Sequence, residues 1–345
     1  MIRPGADDPQ LLQQLGIASF EQRWPWIGGD LQTLRDTVRP VQLPPETGEQ
    51  VLVDVPALAS GAAAAGQLLA LLDRPMQEPR ALVLMLHGLG GSSAREGLRR
   101  MGLALQHAGF AVLRLNLRGA DPGRHLAGGT YAARCNSDLL PVIARARALA
   151  QGRPLLGAGI SLGGTMLLNA CQEAPGVLDG LFCASSPLDL AACSASIERP
   201  RNRIYQRWLL KRLVRQTLAD PFGVSPLEQT LLQGAAAPRT IRAFDSAVTA
   251  PRWGFADVEA YYREASPLQH LVATPERLPR TLLLQALDDP WVPAADAQVL
   301  ASALPTPVNV RVLFTARGGH NGFHGRAGCW GDQLAVAWLG SILDR

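Results

Sequence analysis

The sequence predicts an α/β fold in which helices cover both faces of a mostly parallel β-sheet. From residue 80 onward, short apolar runs alternate with helix-like segments, a pattern typical of parallel strands buried on both sides. The alternation stops between residues 190 and 265 and then resumes near residue 281. A chain of 345 residues, 47% of them apolar, can bury one large core or two modest ones. We therefore expect a sheet-based core that is interrupted by a helical insertion.

The elements of this core follow from the apolar runs. Residues 51–55 and 67–72 are expected to pair antiparallel at one edge of the sheet. The further strands are predicted at 81–86, 110–115, 155–158, 181–185, 281–286 and 308–313. The main helices are predicted at 95–108, 138–150, 165–170 and 329–343. On this basis the core is expected to comprise residues 41–189 and 266–345.

Two other segments lie outside the predicted core. Residues 1–40 are expected to form an arm packed on the core, because Trp24 and Trp26 are more typical of a packing contact than of a ligand-stacking site. Residues 190–265 contain helical stretches and no clear strand. In a doubly wound sheet such an insertion lies over the carboxyl ends of the strands, where ligands bind. We interpret the 190–265 segment as a helical cap.

One stretch of the expected cap has the pattern of an amphipathic helix. Four cationic residues recur at every fourth position and share one face: Arg203, Arg207, Lys211 and Arg215. Four apolar residues lie on another face: Ile204, Trp208, Leu209 and Leu213. We expect the cationic face to point outward, and Ile204, Trp208 and Leu213 to point toward a pocket or its roof. The cationic face is either an ordinary solvated surface or a contact with an anionic lipid surface.

Composition excludes several classes of function. The net charge is only +4, and the sequence has neither a basic tail nor interleaved aromatic and basic residues, so we expect no nucleic-acid partner. The five cysteines form no C-x-x-C motif and suit a reducing compartment. The first eight residues lack the apolar region of a signal peptide, and no apolar run approaches the ~20 residues of a transmembrane helix. A cytoplasmic protein is expected.

The pattern G-x-S-x-G spans residues 159–163, with Ser161 at its centre. In this pattern the serine lies at a sharp turn between a strand and a helix. The apolar run 155–158 precedes the pattern, and the helix-like run 165–170 follows it. The two glycines would let the strand and helix approach closely, and the turn would hold the hydroxyl out at the top of the sheet. Because the pattern also arises by chance, its place between strand and helix is what favours Ser161 as a nucleophile.

A nucleophilic serine of this kind needs a base, and His320 is the candidate. It follows the last predicted strand, 308–313, and two glycines, Gly318 and Gly319, precede it. The glycines would allow the loop to fold back toward Ser161. His320 would then accept the serine proton.

The acid that orients the histidine is expected after the predicted strand 281–286, where Asp288 and Asp289 are adjacent. A carboxylate just beyond the carboxyl end of a strand can reach a site at the top of the sheet. Asp289 is favoured because it stands four residues before Pro293, the usual arrangement in acid loops of this kind. Asp288 remains the alternative, with capping of the turn as its other role.

Two backbone amides are expected to form an oxyanion hole. One belongs to Leu162, directly after the serine, at the N-terminus of a helix where amides are unpaired. The other is expected from the glycine-rich loop 87–92, where Leu89 is the candidate and His87 is expected to brace the loop. No pair of histidines has the spacing of metal ligands, so we predict neither a metal nor a cofactor.

Several short motifs spread along the chain resemble those of one known family. The matching pieces are Trp26 to Leu34 with Leu31-Gln32-Thr33, His87-Gly88-Leu89-x-Gly91-Ser92, Asn116-Leu117-Arg118-Gly119, Gly159-Ile160-Ser161-Leu162-Gly163-Gly164, Phe244-Asp245, Thr249-Ala250-Pro251, Gly254-Phe255, Tyr261-Tyr262-Arg263-Glu264-Ala265-Ser266-Pro267, Ala286-x-Asp288-Asp289-Pro290 and Gly318-Gly319-His320-x-Gly322-Phe323. From about residue 23 to the C-terminus, the chain resembles the YheT-like α/β-hydrolases, the group that includes the eukaryotic abhydrolase-domain 1, 2 and 3 proteins.

The resemblance implies the α/β-hydrolase fold with a helical cap and a serine hydrolase acting on carboxylic esters, in the range from esterase to acylglycerol lipase. The expected partner is a small-molecule or lipid ester, with peripheral membrane contact through the cap. The alternatives are a binding protein with little turnover, or a thioesterase or amidase. Members of the group usually have cysteine where Ala120 stands, and glycine and threonine where Arg134 and Asn136 stand. These departures are expected near the mouth of the cap and bear on substrate specificity.

Overall fold

The computed structural model describes residues 8–234, 237–305 and 309–344. Residues 1–7 of the predicted arm and Val308 of the last predicted strand lie outside the described residues. The main sheet has eight strands, which are β1 (Glu49–Val55), β2 (Gly66–Asp73), β3 (Leu82–Leu86), β4 (Ala111–Leu115), β5 (Leu155–Ile160), β6 (Gly180–Ala184), β7 (Arg280–Ala286) and β8 (Val310–Thr315). A short hairpin follows, formed by β9 (His324–Gly325) and β10 (Gly328–Cys329).

The strands of the main sheet lie in the order β1-β2-β4-β3-β5-β6-β7-β8. β2 is antiparallel to both β1 and β4, and every other neighbouring pair is parallel. The predicted antiparallel pair at the sheet edge is therefore confirmed, and so is the mostly parallel sheet. The carboxyl ends of β3, β5, β7 and β8 meet at one edge, which brings the loops after them together.

The helices of the described chain are α1 (Pro9–Gln14), α2 (Gly29–Val38), α3 (Glu96–His107), α4 (Asn136–Leu149), α5 (Leu162–Glu173), α6 (Leu190–Glu198), α7 (Arg203–Leu218), α8 (Pro226–Leu232), α9 (Ile241–Phe244), α10 (Ala250–Arg252), α11 (Val258–Ala265), α12 (Leu268–Ala273), α13 (Ala294–Ala303) and α14 (Trp330–Leu343). A π-helical turn, Asp245–Thr249, joins α9 to α10. No helix in the described ranges is long and apolar enough to cross a lipid bilayer.

Both faces of the sheet are covered by helices, and β3 shows how the sequence produces this. Leu82, Leu84 and Leu86 belong to a buried cluster that includes α4 and α5, whereas Val83 and Met85 belong to a second cluster with α3 and α14. All five side chains are buried, because alternate residues of a strand point to opposite faces. A continuous apolar run is therefore the expected sequence of a central strand in such a sheet.

The 190–265 segment contributes most of a third buried cluster, which includes Leu209, Leu210 and Leu213 of α7 together with Ile241 and Phe244 of α9. Among its described residues, which omit 235 and 236, no strand occurs. The cluster also includes Val292 from the loop after β7, so these helices pack over the carboxyl ends of the strands.

Helix α7 departs in part from the predicted pattern. The four cationic residues of the predicted face are all exposed: Arg203, Arg207, Lys211 and Arg215. Leu209 and Leu213 are buried as expected, but Ile204 is 81% exposed, so its predicted inward orientation is wrong. The buried seam of α7 runs through Tyr205 instead, one residue further on, and continues through Leu209 and Leu213. Trp208 lies between the two faces and is 41% exposed.

The two tryptophans of the N-terminal arm have different environments. Trp26 is buried, whereas Trp24 is 83% exposed, so the prediction that both pack is wrong for Trp24. Helix α2 follows, and its Gln32 is completely buried. The Gln32 side chain donates to the carbonyl oxygens of Trp26 (2.7 Å) and His324 (3.1 Å) and accepts from the His324 amide (2.7 Å). These bonds attach the arm to β9, the first strand of the hairpin that follows β8.

Candidate active site

Ser161 lies in the turn between β5 and α5, with a positive φ of 54° and ψ of −127°. Positive φ is unfavourable for a residue with a side chain and is maintained only where the surroundings impose it. A Cβ atom on Gly159 would lie 2.3 Å from Gly164 Cα, and one on Gly163 would lie 2.5 Å from the Leu86 carbonyl oxygen. The glycines of the pattern are therefore required by close backbone contact, and they fix the direction of the Ser161 side chain.

The structure brings Ser161, His320 and Asp289 into one hydrogen-bonded row. Ser161 Oγ lies 3.0 Å from His320 Nε2. On the opposite side of the ring, His320 Nδ1 lies 2.9 Å from Asp289 Oδ2 and 3.2 Å from Oδ1. The Asp289 carboxylate also accepts from the backbone amides of Trp291 (2.8 Å) and Val292 (3.0 Å). With Nδ1–H donating to the carboxylate, Nε2 is left as an acceptor for the serine proton.

Asp288 has a different environment from its neighbour. Its Oδ1 accepts a hydrogen bond from the Gly319 amide at 2.9 Å, and burial raises the pKa of its carboxyl above the usual value. Its Oδ2 is buried and has no hydrogen-bond partner within the described chain. Asp288 thus holds the loop that carries His320, while Asp289 contacts the imidazole itself.

The position of His320 depends on two contacts that the sequence analysis missed. Its backbone amide donates to Thr33 Oγ1 of α2 at 2.8 Å, and Thr33 Oγ1 donates in turn to the Gly29 carbonyl oxygen at 2.7 Å. The Trp291 ring stacks on the His320 ring, with centroids 4.4 Å apart and planes inclined by 28°. The Leu-Gln-Thr motif was the available signal for Thr33, although nothing in the sequence indicated what this residue contacts.

The loop between β3 and α3 supplies the second amide of the expected oxyanion hole. Neither the Leu89 nor the Leu162 amide donates a hydrogen bond to another group in the described part of the chain. The loop itself is fixed, because the Gly90 amide donates to the Tyr131 hydroxyl at 2.6 Å and the Gly90 carbonyl oxygen accepts from Arg212 at 2.5 Å. Two unpaired amides on rigid backbone next to a serine can stabilise an oxyanion.

His87 braces this loop from beneath. Its side chain is buried, and Nδ1 donates to the Gly88 carbonyl oxygen at 2.8 Å, while Nε2 lies 3.4 Å from the Leu117 amide and accepts from it. Burial lowers the pKa of His87 to about 4, and the positive charge of Arg95 acts in the same direction. The imidazole is therefore neutral near pH 7 and holds the loop through a fixed tautomer.

A cavity of about 280 Å³ opens onto Ser161 and His320. Leu89 and Leu162 line it beside the serine. The 190–265 segment supplies apolar lining residues, which include Leu190, Ile197, Trp208, Leu209 and Ile241. The same segment also supplies polar lining residues, which include Ser194, Asp245, Tyr261 and Tyr262. This lining accommodates a ligand with an apolar chain.

Three positions at which the sequence departs from the resembling group do not line the cavity. Ala120 is buried, while Arg134 and Asn136 both contact Glu173, at 3.3 Å and 2.6 Å. The prediction that these residues lie near the mouth of the cap is therefore not supported by their contacts. Separately, no group of three or more His, Cys, Asp or Glu side chains is arranged to hold a metal ion within the described ranges.

Comparison with known proteins gives a consistent result. Residues 77–324 match a family model described as "Serine aminopeptidase, S33". YheT of Escherichia coli is 31% identical over 291 residues, which is 80% of this chain and 82% of that protein. Mouse phospholipase ABHD3 is 30% identical over 256 residues, which is 74% of this chain. The match spans only 60% of the length of the mouse protein.

Solved structures extend the comparison to the fold. Est1E from Butyrivibrio proteoclasticus, with ferulic acid bound, superposes with a TM-score of 0.55 at 15% identity and covers 86% of this chain and 100% of its own. The Pyrococcus furiosus esterase Pf2001 superposes with a TM-score of 0.54 at 15% identity and covers 89% of this chain and 96% of its own. Together with the strand order, these similarities show the α/β-hydrolase fold.

Proposed function

This chain belongs to the YheT-like family of α/β-hydrolases, and we propose that it is a serine hydrolase that cleaves carboxylic esters with Ser161, His320 and Asp289. The observation that carries the proposal is the pair of contacts on opposite sides of one imidazole. The ring lies 3.0 Å from the serine oxygen and 2.9 Å from the carboxylate oxygen. This arrangement supports general-base activation of the serine.

In the proposed reaction, Ser161 Oγ attacks the ester carbonyl carbon as its proton passes to His320 Nε2. The tetrahedral oxyanion accepts hydrogen bonds from the Leu89 and Leu162 amides. When the intermediate collapses, the C–O bond to the alcohol breaks, and the departing oxygen takes the proton from His320. Water then attacks the acyl-enzyme by the same route, with His320 as the base, and releases the acid and free Ser161. Asp289 fixes the tautomer and stabilises the imidazolium.

We also propose that the 190–265 segment acts as a cap over this site. Its support is the set of apolar side chains that this segment contributes to the cavity, among them Trp208 and Ile241. A cap of this kind excludes water and so strengthens the hydrogen bonds to the oxyanion. The preferred acyl chain would then be the one that fills the apolar part of the cavity.

A lipid surface is the second partner that we propose, reached through the exposed side of α7. None of the four cationic residues of that side forms an ion pair within the described chain. Trp208 lies beside them, lines the cavity and is 41% exposed. Cationic residues next to an exposed aromatic ring favour contact with anionic lipid headgroups.

A cytoplasmic location is proposed from the five free cysteines, which suit a reducing compartment.

Ester hydrolysis by purified protein tests the proposal. Ser161→Ala should reduce turnover of a p-nitrophenyl ester by about 10⁴- to 10⁶-fold, because a triad member is lost. Ser302→Ala, which changes an exposed serine on α13, serves as the matched control and should keep wild-type activity. A p-nitroanilide with the same acyl group decides between ester and amide preference. An active Ser161→Ala protein would contradict the proposal. So would a wild-type protein that neither hydrolyses esters nor reacts with a serine-directed reagent.

A further inference from the structure

The Trp291 side chain lies against the imidazole of His320 face to face. The ring centroids are 4.4 Å apart and the planes are inclined by only 28°, so the indole presents its face and not its edge. The ring of Tyr205 on α7 packs on the indole in turn, with centroids 5.4 Å apart and planes inclined by 67°. The Tyr205 hydroxyl donates to Asp30 of α2 at 3.0 Å. These contacts hold the indole in place beside the imidazole.

The loop that carries Trp291 does not need the indole for its hydrogen bonds. The backbone amide of Trp291 donates to Asp289 at 2.8 Å, and its carbonyl oxygen lies 3.7 Å from the Cys193 thiol. Any residue except proline can make these contacts. The indole Nε1–H, in contrast, is buried and has no hydrogen-bond partner within the described chain. A buried donor without a partner costs free energy, and phenylalanine would avoid that cost. The property that distinguishes tryptophan at this position is its large π face.

The contact between these rings changes in strength during the proposed reaction. His320 becomes an imidazolium when it takes the serine proton and stays so while the tetrahedral intermediate exists. A cation within about 6 Å of an aromatic centroid is attracted to the negative face of the ring, and tryptophan is the strongest aromatic partner. At 4.4 Å, the Trp291 face therefore attracts the charged imidazolium more strongly than the neutral imidazole. An interaction that strengthens in this way lowers the barrier to proton transfer.

We propose that Trp291 is a positioning residue whose π face stabilises the imidazolium form of His320 and so makes this histidine a stronger base. Asp289 acts on the same ring from its edge, through Nδ1, while Trp291 acts from its face. Stabilising the imidazolium raises the pH at which the ring loses its proton. The inference rests on the proposed role of His320 as the base in ester hydrolysis.

Other titratable side chains lie close to the two rings. Within the described chain they are Ser161, Cys193, Tyr205, Asp288 and Asp289. Burial raises the pKa of Cys193 and that of Tyr205 well above their ordinary values, so both side chains are neutral near pH 7. Asp288 bonds to the Gly319 amide and Asp289 to the imidazole itself. A change confined to the electrons of the indole leaves all of these groups in place.

Fluorinated tryptophans separate the electronic effect from packing. Incorporation of 5-fluoro-, 5,7-difluoro- and tetrafluorotryptophan at position 291 by nonsense suppression nearly keeps the shape of the ring while it makes the face less negative. Proton NMR follows the titration of His320, whose signal is identified by its loss in His320→Gln. The midpoint of this titration should fall with each added fluorine. In Trp291→Leu it should lie about one pH unit below the wild-type midpoint.

Kinetics provide a second readout. In Trp291→Leu, kcat for p-nitrophenyl hexanoate should fall about tenfold, and Trp291→Phe, with a smaller π face, should give an intermediate value. The acid limb of the kcat/KM profile should move to lower pH by the same interval as the NMR midpoint. Trp24→Leu is the matched control, because Trp24 is 83% exposed and does not line the cavity. It should change neither the titration nor kcat.

The NMR titration needs no turnover, so it decides the inference even if Ser161 is not the nucleophile. If Trp291→Leu does not fold, as judged by its thermal unfolding, the fluorinated series alone decides. A midpoint that stays constant across this series overturns the inference, because any loss of activity in Trp291→Leu would then come from packing. A midpoint that rises with fluorination overturns it as well.

Discussion

Two adjacent aspartates near the site differ in what their carboxylates contact. The Asp289 carboxylate accepts hydrogen bonds from His320 Nδ1–H and from the backbone amides of Trp291 and Val292. It therefore contacts the imidazole and is itself held in place. The Asp288 carboxylate accepts a hydrogen bond from the Gly319 amide and does not form one with the imidazole. The difference arises because the chain turns at Leu287 and Asp288, so the two neighbouring side chains point in different directions and only Asp289 points toward the ring.

Replacing each aspartate by asparagine separates these roles. Asp289→Asn should reduce kcat by about 10⁴-fold, because an amide favours the wrong tautomer of His320. Asp288→Asn keeps an oxygen that can accept from Gly319, so its activity should stay within about tenfold of wild type. Steady-state kinetics of both variants on one activated ester measure the contrast. The reverse order of activities would assign the acid to Asp288.

Three candidate site residues could be proposed from the sequence, whereas Thr33 and Trp291, which contact His320, could not. Ser161, His320 and Asp289 were identified because each follows a predicted strand, and parallel strands bring such loops to one edge of a sheet. The order of these residues along the chain also matches the expected order of the triad. Thr33 could not be predicted, because its contact with His320 joins residues that are 287 positions apart in the chain. No local pattern encodes such a contact.

Helix α2 of the N-terminal arm is the element that supports the histidine loop. Thr33 accepts the His320 amide, and a Cβ atom on Gly319 would lie only 2.2 Å from the Gly29 carbonyl oxygen. A Cβ atom on Gly322 would lie 2.6 Å from the Gln32 carbonyl oxygen. The backbones of helix and loop are thus in direct contact, and the arm holds the loop that carries His320.

Removal of the Thr33 hydroxyl tests this role. Thr33→Val keeps the shape of the side chain but leaves the His320 amide without an acceptor, so kcat should fall about tenfold with little change in KM, because the base is displaced from its reactive geometry. Thr33→Ser keeps the hydroxyl and should restore most of the activity, whereas a purely packing role would not be restored in this way. Full kcat in a folded Thr33→Val protein would contradict the proposal that the Thr33 hydroxyl helps to position His320.

Helix α7 shows why periodicity alone does not fix the buried side of a helix. The sequence analysis grouped Ile204 with Trp208, Leu209 and Leu213 on one apolar face, but the helix packs along Tyr205, Leu209 and Leu213. A rotation of one residue, about 100°, separates the two seams. The neighbouring helices decide between them, and their arrangement is a tertiary property. The exposed cationic side, in contrast, was predicted correctly. Its four residues recur at every fourth position, so they share one face whichever of the two apolar sides is buried.

At the scale of the whole molecule, the cavity and the cationic side of α7 meet at Trp208. A protein bound to a membrane through this side would have its cavity adjacent to the lipid. The mostly parallel sheet and its two layers of helices could be predicted from the sequence pattern, because continuous apolar strands require cover on both faces. The order of the strands could not, since it depends on long-range pairing.

Charge removal on α7 tests the proposed lipid contact. Replacing both Arg207 and Lys211 by Gln should weaken binding to anionic phosphatidylglycerol vesicles by roughly 2 kcal/mol at low salt, at about 1 kcal/mol per cationic residue. Hydrolysis of a water-soluble ester should not change. The control replaces Arg145 and Arg326, two exposed arginines on other elements, and removes the same charge. Vesicle sedimentation measures the effect, and equal binding by both double variants would contradict a specific role for α7.

Labelling by a fluorophosphonate tests most directly the central claim that His320 activates Ser161 as the nucleophile. The reagent forms a stable bond with a serine whose proton is taken by a neighbouring base. Mass spectrometry of the digested protein should find a single adduct, on the peptide that contains Ser161, and this adduct should be absent from the His320→Gln protein. An adduct on a different serine, or equal labelling of Ser161 without His320, would contradict the account.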